Sequence, residues 1–438
     1  MTVARAAYTL LVVLAMPLAA IYLLWRSRRQ PDYRAHWGER FGWSSYAAAR
    51  SPRPQIWIHA VSVGETRAAE PLLAALAERF PGHDFLLTHM TPTGRATGAE
   101  LAARWPGRVR QVYLPYDLPF AVGRFLRAAA PVAGIGMETE TWPNLLAQSR
   151  AAGIPLVLAN ARLSERSLRR AQRAPTLFRE AARCFTAVLA QTPADAARMR
   201  QVGAEHIEVI GNLKFDLAPN EELVTRGRAF RASAGQRAVL LFASTREGEE
   251  ALLLAAIDAV GADWGERVLA IFVPRHPQRF DEAAALLAAG GRQVVRRSAQ
   301  ATWSAVTVGE GAVVLGDSMG ELAMYYAACD VAYVGGSLLP LGGQNLIEAC
   351  AVGTPVVVGP HTFNFAQATD DAVAAGAALR AADSAGAVAA MHAIAADPTR
   401  RAQMSEAALR FARQHRGATA RAVARIAPLV EAAAQRRA

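Results

Sequence analysis

From residue 56 onward, the chain alternates short apolar runs with alanine-rich stretches of helical periodicity. Most runs have 5–7 residues, and runs this short and continuous predict strands buried in a parallel sheet. The first half contains IWIHAV, DFLLTHM, VRQVYLP, VAGIGM, IPLVLAN, FTAVLAQ and IEVIGN. After a polar stretch over residues 216–236, the second half contains AVLLFAS, RVLAIFVP, RQVVRR, AVVLGD, VAYVGG and PVVVGP.

Two successive series of this kind predict an α/β protein with two Rossmann-like domains that face each other across a cleft. The chain length of 438 residues is also sufficient for two domains. We expect the first domain over residues 31–215, a linker over 216–236 and the second domain over 237–400. The alanine- and arginine-rich residues 401–438 are expected to form closing helices.

Residues 1–30 form a separate segment. Residues 6–25 are almost wholly apolar and are followed at once by the basic run RSRR. Their length suits the hydrocarbon core of a bilayer, which is about 30 Å thick, although Pro17 would kink a helix here. The segment is predicted to be a membrane anchor or an embedded helix, with the basic residues on the cytoplasmic side. A buried N-terminal helix is the alternative, and the pattern leaves open whether the segment spans the membrane or lies in it.

The net charge of +11 is distributed unevenly. Residues 1–215 contain 27 Lys and Arg against 15 Asp and Glu, a net of +12, whereas residues 216–438 contain 21 against 22, a net of −1. The basic excess predicts an anionic partner for the first half. Together with the apolar N-terminus, it favours an inner-membrane surface over nucleic acid.

Cysteine and histidine spacing gives no sign of a metal site. Cys184, Cys329 and Cys350 lie singly in apolar runs, which argues against zinc sites and disulfides and indicates a reducing compartment. The 9 histidines show no HExxH or other paired spacing, and no DxD motif lies near the candidate site residues. We therefore expect no tightly bound metal and no cofactor.

Acidic residues follow two of the predicted strands in the first half. Ligands of parallel sheets bind at the carboxyl ends of the strands. Glu65 follows the first strand, and Glu138 and Glu140 follow the fourth. Glu65 is predicted to be a general base or, alternatively, an ordinary acidic residue at the positive end of a helix. At least one of Glu138 and Glu140 is expected to belong to a site.

The 48 Lys and Arg residues include a single lysine, Lys214, which follows the last predicted strand of the first half. A compact ammonium group can approach a phosphate or carboxylate without the planar fork of arginine. We therefore predict that Lys214 stabilises charge at the cleft. An accident of composition is the alternative.

The second half places glycines and a guanidinium at the carboxyl ends of its strands. Residues 334–360 contain two Gly-Gly pairs before a predicted helix start, an arrangement that suits the close approach of a phosphate. Glu348 is expected to face the cleft one turn into that helix, where it would accept hydrogen bonds from ribose hydroxyls. Arg275 follows a strand and a proline, and a guanidinium there suits a phosphate or a carboxylate. A purely structural glycine-rich turn is the alternative.

The order and spacing of several motifs closely resemble those of the bacterial Kdo (3-deoxy-D-manno-octulosonic acid) transferases. The motifs are SVGE, METETWPN, NARLSERS, GNLKFD, STREGEE, VPRHPQRF, GDSMGE and VGGSLLPLGGQNLIEA. The resemblance runs from the apolar N-terminus to about Phe365. It implies the GT-B fold and an inverting transfer of Kdo from CMP-Kdo to the lipid A precursor, lipid IVA, in lipopolysaccharide synthesis. It also implies a metal-independent enzyme on the cytoplasmic side of the inner membrane.

The resemblance further implies roles for particular residues. Glu65 would be the general base, and Glu138 and Lys214 would stabilise the transition state. The residues implied for the CMP site are Pro274, Arg275, Met319, Gly320, Glu321, Asn345, Leu346, Ile347 and Glu348. The arginines expected either to bind the acceptor phosphates or to form a solvated helix face are Arg162, Arg166, Arg169, Arg170 and Arg173.

The sequence departs from the family pattern at a few positions. NLIE stands where NPLE is common, GGQN replaces GGHN and TREGEE replaces THEGEE, so a histidine role cannot be transferred to the last two sites. Two other functions stay open at this point. One is a GT-B enzyme that uses a UDP-sugar, and the other is a membrane-bound, non-catalytic nucleotide-binding or scaffolding protein.

Overall fold

A computed structural model of the chain describes residues 2–260, 267–289, 291–300, 309 and 311–436. The chain folds into two compact units. Unit 1 comprises Met1–Leu217 and Arg416–Ala438, and unit 2 comprises Ala218–His415. Each unit is built on one 7-stranded sheet in which all neighbouring strands are parallel, as predicted from the runs of apolar residues.

The elements of unit 1 are labelled in chain order. Its strands are β1 (Gln55–His59), β2 (Asp84–His89), β3 (Val109–Tyr113), β4 (Ala133–Met137), β5 (Leu156–Ala161), β6 (Ala187–Ala190) and β7 (Ile207–Val209). Its α-helices are α1 (Val3–Arg26), α2 (Trp37–Arg40), α3 (Val63–Arg79), α4 (Pro92–Ala102), α5 (Pro119–Ala129), α6 (Pro143–Ala151), α7 (Glu165–Ala171), α8 (Pro175–Ala182), α9 (Pro193–Gln201) and α18 (Ala418–Gln435). Short 3₁₀ helices cover Pro31–Arg34, Ala47–Ala49 and Leu213–Asp216.

The sheet of unit 1 has the order β3-β2-β1-β4-β5-β6-β7. Residues of β1 alternate between its two faces because successive strand side chains point in opposite directions. Ile56 and Ile58 pack into the core that includes α3 and α18, and Trp57 packs into the core that includes α5. Full burial of such side chains stabilises a fold by about 1.5–3 kcal/mol each. The sheet therefore fixes the ends of β1 and β4 side by side.

Unit 2 repeats the architecture. Its strands are β8 (Ala238–Thr245), β9 (Val268–Pro274), β10 (Val294–Arg296), β11 (Val313–Leu315), β12 (Val331–Val334), β13 (Val356–Val358) and β14 (Ala378–Arg380), in the sheet order β10-β11-β9-β8-β12-β13-β14. Its α-helices are α10 (Glu221–Ser233), α11 (Glu249–Asp258), α12 (Phe280–Ala288), α13 (Leu322–Ala327), α14 (Ile347–Val352), α15 (Ala366–Ala374), α16 (Ser384–Ala396) and α17 (Pro398–Gln414). Two 3₁₀ helices cover Pro277–Arg279 and Arg297–Ala299.

The unit boundaries differ from the segments predicted at the ends of the second domain. The polar residues 216–236, predicted as a linker, contain α10, whose Phe230 is buried within unit 2. The predicted closing helices divide between the units, since α17 belongs to unit 2 and α18 returns to unit 1. Met404 of α17 lies in the core of unit 2 and Ile426 of α18 in that of unit 1. The apolar face of each helix therefore determines the unit against which the helix packs.

The predicted N-terminal helix is present as α1. It has the length and apolar composition to cross a membrane, with a mean hydropathy of 2.2 over a window that is only 6% buried. Such a helix indicates membrane association. Its packing against unit 1 is described below.

Candidate active site

The acidic residues of unit 1 converge where the strand order of its sheet reverses. β1 and β4 are neighbours in space, yet β2 and β3 lie on one side of this pair and β5 to β7 on the other. The crevice outside the carboxyl ends of two such strands is the usual ligand site of an open parallel sheet. Glu65 lies in the first turn of α3, just after β1, and Glu138 and Glu140 directly follow β4. Unit 1 therefore brings the three predicted carboxylates to one place.

Glu65 is held at the start of α3 and is partly buried. Its Oε2 accepts a hydrogen bond from the Ser62 amide at 3.0 Å. Burial, followed by the nearby charges of Glu140 and Glu138, raises the pKa of Glu65 to about 7, against the opposing effects of Ser62 and His59. A carboxylate with a pKa near neutral is well suited to accept a proton during catalysis.

Glu140 is fixed by a hydrogen-bond chain that the sequence did not reveal. Its Oε2 lies 3.2 Å from Nε2 of His59 and accepts from the indole Nε1 of Trp142. Nδ1 of His59 lies 2.8 Å from the hydroxyl of Thr88, and that hydroxyl accepts from Trp57 Nε1 at 2.8 Å. Because a carboxylate oxygen only accepts, Nε2 of His59 donates to Glu140, while Nδ1 also lies 3.1 Å from the Thr88 carbonyl. His59 could have been noticed as a polar side chain at the end of the first buried strand.

Replacing Glu140 by glutamine is expected to shift the rising limb of the pH–rate profile to lower pH. Glutamine keeps an oxygen for His59 and Trp142 but removes the largest neighbouring charge that raises the pKa of Glu65. Glu65 would then lose its proton at a lower pH. The measurement is kcat/KM against pH for the transfer reaction that the sequence resemblance implies. Glu78→Gln, an exposed change on the helix that carries Glu65, is the control. An unshifted limb in Glu140→Gln would contradict this electrostatic coupling.

Lys214 and Glu138, predicted separately from the sequence, form an ion pair. The Nζ atom of Lys214 lies 2.8 Å from Oε1 of Glu138, and both side chains are largely buried. Glu138 has a left-handed backbone with φ of 61°, an uncommon and costly conformation for this residue type. Its amide donates to Ala159 at 2.9 Å and its carbonyl accepts from the Arg162 amide at 3.1 Å. These bonds fix the direction in which the Glu138 side chain leaves the strand.

The backbone that carries Lys214 is pinned from several sides. Oδ1 of Asn212 accepts from the Lys214 amide at 3.0 Å, and Oδ1 of Asn160 accepts from the Leu213 amide at 3.0 Å. Asp216 accepts from the amides of Gly417 and Thr419 at the start of α18, at 2.6 and 2.5 Å. The returning C-terminal helix therefore helps to position the only lysine of the chain.

In unit 2, two arginines follow adjacent strands, and one of these strands, β8, borders the corresponding reversal of strand order between β8 and β12. Arg246 follows β8 and Arg275 follows β9. The Nε atom of Arg275 donates to Oε1 of Gln344 at 3.1 Å, and the Arg275 amide donates to the Thr245 carbonyl at 2.9 Å. A side chain at Gly336 would come within 3.4 Å of Arg246 and 3.2 Å of Gln344. Arg246 therefore joins the predicted Arg275, and sequence reasoning missed it.

Glu249 holds the first glycine pair of unit 2 in place. Its carboxylate is fully buried and accepts from the amides of Gly336, Ser337 and Leu338 at 2.6, 3.0 and 3.0 Å. It also accepts from the Tyr333 hydroxyl at 2.7 Å and the Arg246 amide at 2.9 Å. The sequence pattern suggested that the glycine-rich backbone would approach a phosphate. A protein carboxylate already occupies the amide of Gly336 and those of the two residues after it.

Glu249→Gln is expected to loosen this loop and weaken the binding of CMP. The hydrogens of a glutamine side-chain amide would face backbone N–H donors instead of accepting from them. Each buried donor left without a hydrogen bond lowers the stability by about 1–3 kcal/mol. We expect the amides of Gly336 to Leu338 to exchange hydrogen at least about tenfold faster, which corresponds to about 1.4 kcal/mol. Two quantities are measured, the hydrogen-exchange rates of these amides and the affinity for CMP. Glu222→Gln, an exposed change on α10 of the same unit, is the control, and equal exchange rates in both variants would contradict the assignment.

The other predicted CMP-site residues lie at the same edge of the sheet of unit 2. Oδ1 of Asn345 accepts from the Ile347 amide and its Nδ2 donates to Glu348, each at 3.1 Å. Leu346 and Ile347 are buried as whole residues, and the Ile347 amide is already bound to Asn345. The remaining predicted residues of the set, which follow β11 or end β9, are Pro274, Met319, Gly320 and Glu321.

Glu321 is engaged in a local cluster. It accepts from Arg297 at 2.9 Å and from the Ser318 hydroxyl at 2.6 Å, and it lies 3.4 Å from Arg226. Met319 is exposed. That the predicted CMP-site residues contact a ligand directly stays a prediction. That the site residues of unit 1 and those of unit 2 face each other across a cleft also stays a prediction.

Comparisons with known proteins agree with this architecture. The sequence profile of the family described as 3-deoxy-D-manno-octulosonic-acid transferase (kdotransferase) matches residues 35–217. The chain is similar in structure to Anabaena HepE, solved in complex with UDP, with a TM-score of 0.57 over 86% of this chain and 99% of that chain. Their sequence identity is 17%, so this likeness shows the GT-B fold alone.

Two curated relatives are close in sequence over most of their length. The chain is 50% identical over 428 residues to the 3-deoxy-D-manno-octulosonic acid transferase of Bordetella pertussis, covering 95% of this chain and 97% of that protein. It is 39% identical over 362 residues to the enzyme of the same name from Haemophilus influenzae, covering 82% of each. With its two Rossmann-like units and this similarity across nearly the whole sequence, the chain belongs to the Kdo transferase family of GT-B glycosyltransferases.

Proposed function

We propose that the protein transfers Kdo from CMP-Kdo to lipid IVA, the lipid A precursor, with inversion at the anomeric carbon and without a metal ion. The observation that carries this proposal is the group of residues at the strand reversal of unit 1. There, Glu65 has a pKa near 7 and lies close to Glu138, which pairs with Lys214. A proton acceptor beside a fixed positive charge is what attack by a neutral hydroxyl group requires.

In the proposed step, a hydroxyl oxygen of the acceptor forms a bond to the anomeric carbon while the bond from that carbon to the CMP phosphate oxygen breaks. The hydroxyl proton passes to the ionised Glu65, and CMP leaves with the bonding electron pair. Lys214, oriented by Glu138, stabilises negative charge during this exchange. Attack on the face opposite the leaving group gives inversion.

We propose that unit 2 binds CMP-Kdo. Arg246 and Arg275 supply positive charge at the ends of adjacent strands, where a single phosphate would lie. Asn345 and Glu348 hold each other through a hydrogen bond at 3.1 Å, which leaves carboxylate capacity for ribose hydroxyls. These residues contrast with the loop that begins at Gly336, where the amides of Gly336, Ser337 and Leu338 are already bound to Glu249.

The acceptor is proposed to reach unit 1 from the cytoplasmic side of the inner membrane. The apolar α1 supports membrane association. The basic first half of the chain supports an anionic partner, and Arg166, Arg169, Arg170 and Arg173 all remain exposed. Exposed guanidinium groups suit the phosphates of a lipid A precursor.

The test is incubation of the purified full chain with CMP-Kdo and lipid IVA, followed by mass analysis of the product. We expect Kdo to be added, the rate to survive excess EDTA, and CMP to bind more tightly than UDP. Loss of the rate in EDTA with recovery on adding a divalent metal would overturn the metal-independent mechanism. Sugar transfer from a UDP-sugar would favour the alternative donor, and CMP binding without any transfer would favour a non-catalytic protein.

A further inference from the structure

Helix α1 lies against unit 1 near both of its ends. Its less exposed side chains recur at intervals of three or four residues, which places them on one face of the helix. These positions, continued just past the helix end, are Arg5, Thr9, Val12, Met16, Ala20, Leu23 and Ser27. The opposite face is exposed. The helix therefore runs along the surface of the unit instead of projecting from it.

Polar contacts fix the N-terminal end of α1 to the body of unit 1. Arg5 Nη1 lies 3.1 Å from Oε1 of Glu180, which belongs to α8. The hydroxyl of Thr9 lies 3.1 Å from Oδ1 of Asn144 in α6. Asn144 is itself buried, and its amide donates to the carboxylate of Asp117 at 2.9 Å. The N-terminal end of the helix thus contacts charged and polar groups of the globular unit.

The C-terminal end of α1 is fixed to the same unit. Leu23 is 2% exposed and Ser27 is 3% exposed. The hydroxyl of Ser27 accepts from Nε of Arg34 at 2.9 Å, and the Arg26 guanidinium lies 6.0 Å from the centre of the Tyr33 ring. Both ends of the helix are therefore tied to one globular body.

This double attachment is incompatible with a helix that crosses the bilayer alone. A helix of 24 residues is about 36 Å long, close to the thickness of the hydrocarbon core, which is about 30 Å. If α1 crossed, its N-terminal end would carry Glu180, Asn144 and Asp117 into or beyond the hydrocarbon. Burying such groups in lipid is costly.

The exposed face of α1 is nevertheless strongly apolar. Leu11, Leu14 and Leu18 are 66%, 64% and 68% exposed. Tyr22 and Trp25 follow on the same helix, at the end that leads into the exposed Arg28 and Arg29. An apolar face that ends in aromatic and basic residues is typical of a helix lying at the boundary between lipid headgroups and acyl chains.

A basic groove continues this surface beyond α1. Exposed Trp43 stacks on Phe41 at 5.3 Å, and Phe41 meets the ring of Tyr116 at 5.3 Å. Tyr116 lies near Tyr22 of α1. Trp43 lines a groove with three arginines, which are Arg50, Arg124 and Arg127. Guanidinium groups beside an apolar surface complement the phosphates of anionic lipids.

We infer that α1 is an in-plane anchor: it lies along the surface of an anionic bilayer, inserts its exposed leucine face among the acyl chains and keeps both ends on the same side as unit 1. This inference concerns how the chain meets the membrane, and it holds whichever donor and acceptor the enzyme uses. A single crossing would place the N-terminus on the far side. The two arrangements therefore make opposite predictions for the N-terminus.

The test uses the full chain with an epitope tag before residue 1 and no internal substitution. Protease is added to inside-out membrane vesicles and to spheroplasts of expressing cells. We expect the tag to be digested in the inside-out vesicles, together with the globular units, and to be protected in spheroplasts. Digestion of the tag in spheroplasts alone would overturn the inference. Kdo transfer is assayed separately, so the position of the tag can be interpreted even if the proposed reaction does not occur.

A second measurement tests the lipid-facing side. Leu14→Glu with Leu18→Glu is expected to reduce binding to vesicles of phosphatidylethanolamine and phosphatidylglycerol by at least about tenfold, because two carboxylates would enter the apolar layer. The control is Leu252→Glu, an exposed leucine on a helix of unit 2, which should bind as the unchanged chain does. Unchanged binding of the double variant would contradict insertion of this face, and the circular dichroism spectrum checks its fold.

Discussion

Glu65→Gln is expected to reduce the rate of Kdo transfer by about 10²–10⁴-fold, the usual contribution of a general base, while CMP affinity stays unchanged. Glutamine is nearly the same shape and can still accept the hydrogen bond from the Ser62 amide, so the start of α3 should keep its structure. It has no carboxylate to take the acceptor proton. The measurement is single-turnover transfer at saturating donor, with CMP affinity from calorimetry.

The raised pKa of Glu65 separates a catalytic effect from a folding defect. The folded-state pKa of about 7 lies above the ordinary value of 4.5 for a glutamate, so proton binding to Glu65 favours the folded state. That stabilisation is fully present below pH 4.5 and is lost as the pH rises through about 7. A neutral glutamine should therefore be at least as stable as ionised glutamate above that range. A large fall in the thermal midpoint of Glu65→Gln, or turnover close to that of the unchanged enzyme, would contradict the assignment.

The fold was predictable because the sequence pattern and the packing have the same cause. Every apolar run identified in the sequence contains a strand, since a strand covered on both faces must be apolar at consecutive positions. β14 was missed because its residues, ALR, include no β-branched or aromatic side chain and lie in an alanine-rich stretch that is typical of helix. The assignment of α10 and α18 to their units was missed because it depends on which core their apolar faces meet.

The positions of the site residues were predictable where they follow from the order of the strands along the chain. Glu65 and Glu138 follow strands that lie side by side, and the general rule for parallel sheets brought them together. The contacts between His59 and Thr88 and between Glu249 and Gly336 join residues that are distant in sequence. No local pattern shows that a buried carboxylate will occupy a glycine-rich loop. That finding moves the proposed phosphate position towards Arg246 and Arg275.

Lys214→Arg is expected to lose most of the catalytic rate even though it keeps the positive charge. Removing one preorganised group that stabilises developing charge typically costs about 10²–10³ in kcat, and we expect Lys214→Ala to lose this full amount. Lys214→Arg should lose most of it, because a planar guanidinium is longer and directs its donors differently from an ammonium group. The measurement is kcat and KM for transfer, with the main loss expected in kcat.

The backbone around Lys214 and Glu138 is fixed, so a longer side chain would place its charge at a different position. Its backbone is held by Asn212 and Asp216, and its partner Glu138 leaves the strand from a left-handed backbone that its own hydrogen bonds fix. A guanidinium can still pair with Glu138, but its charge would lie away from the Nζ position that is 2.8 Å from Oε1. The matched control is Arg425→Lys, which exchanges one exposed cation for another in the same unit. It should leave kcat and KM unchanged. If Lys214→Arg turned over as fast as this control, position 214 would require only a positive charge, and the compact ammonium group would have no part in stabilising the transition state.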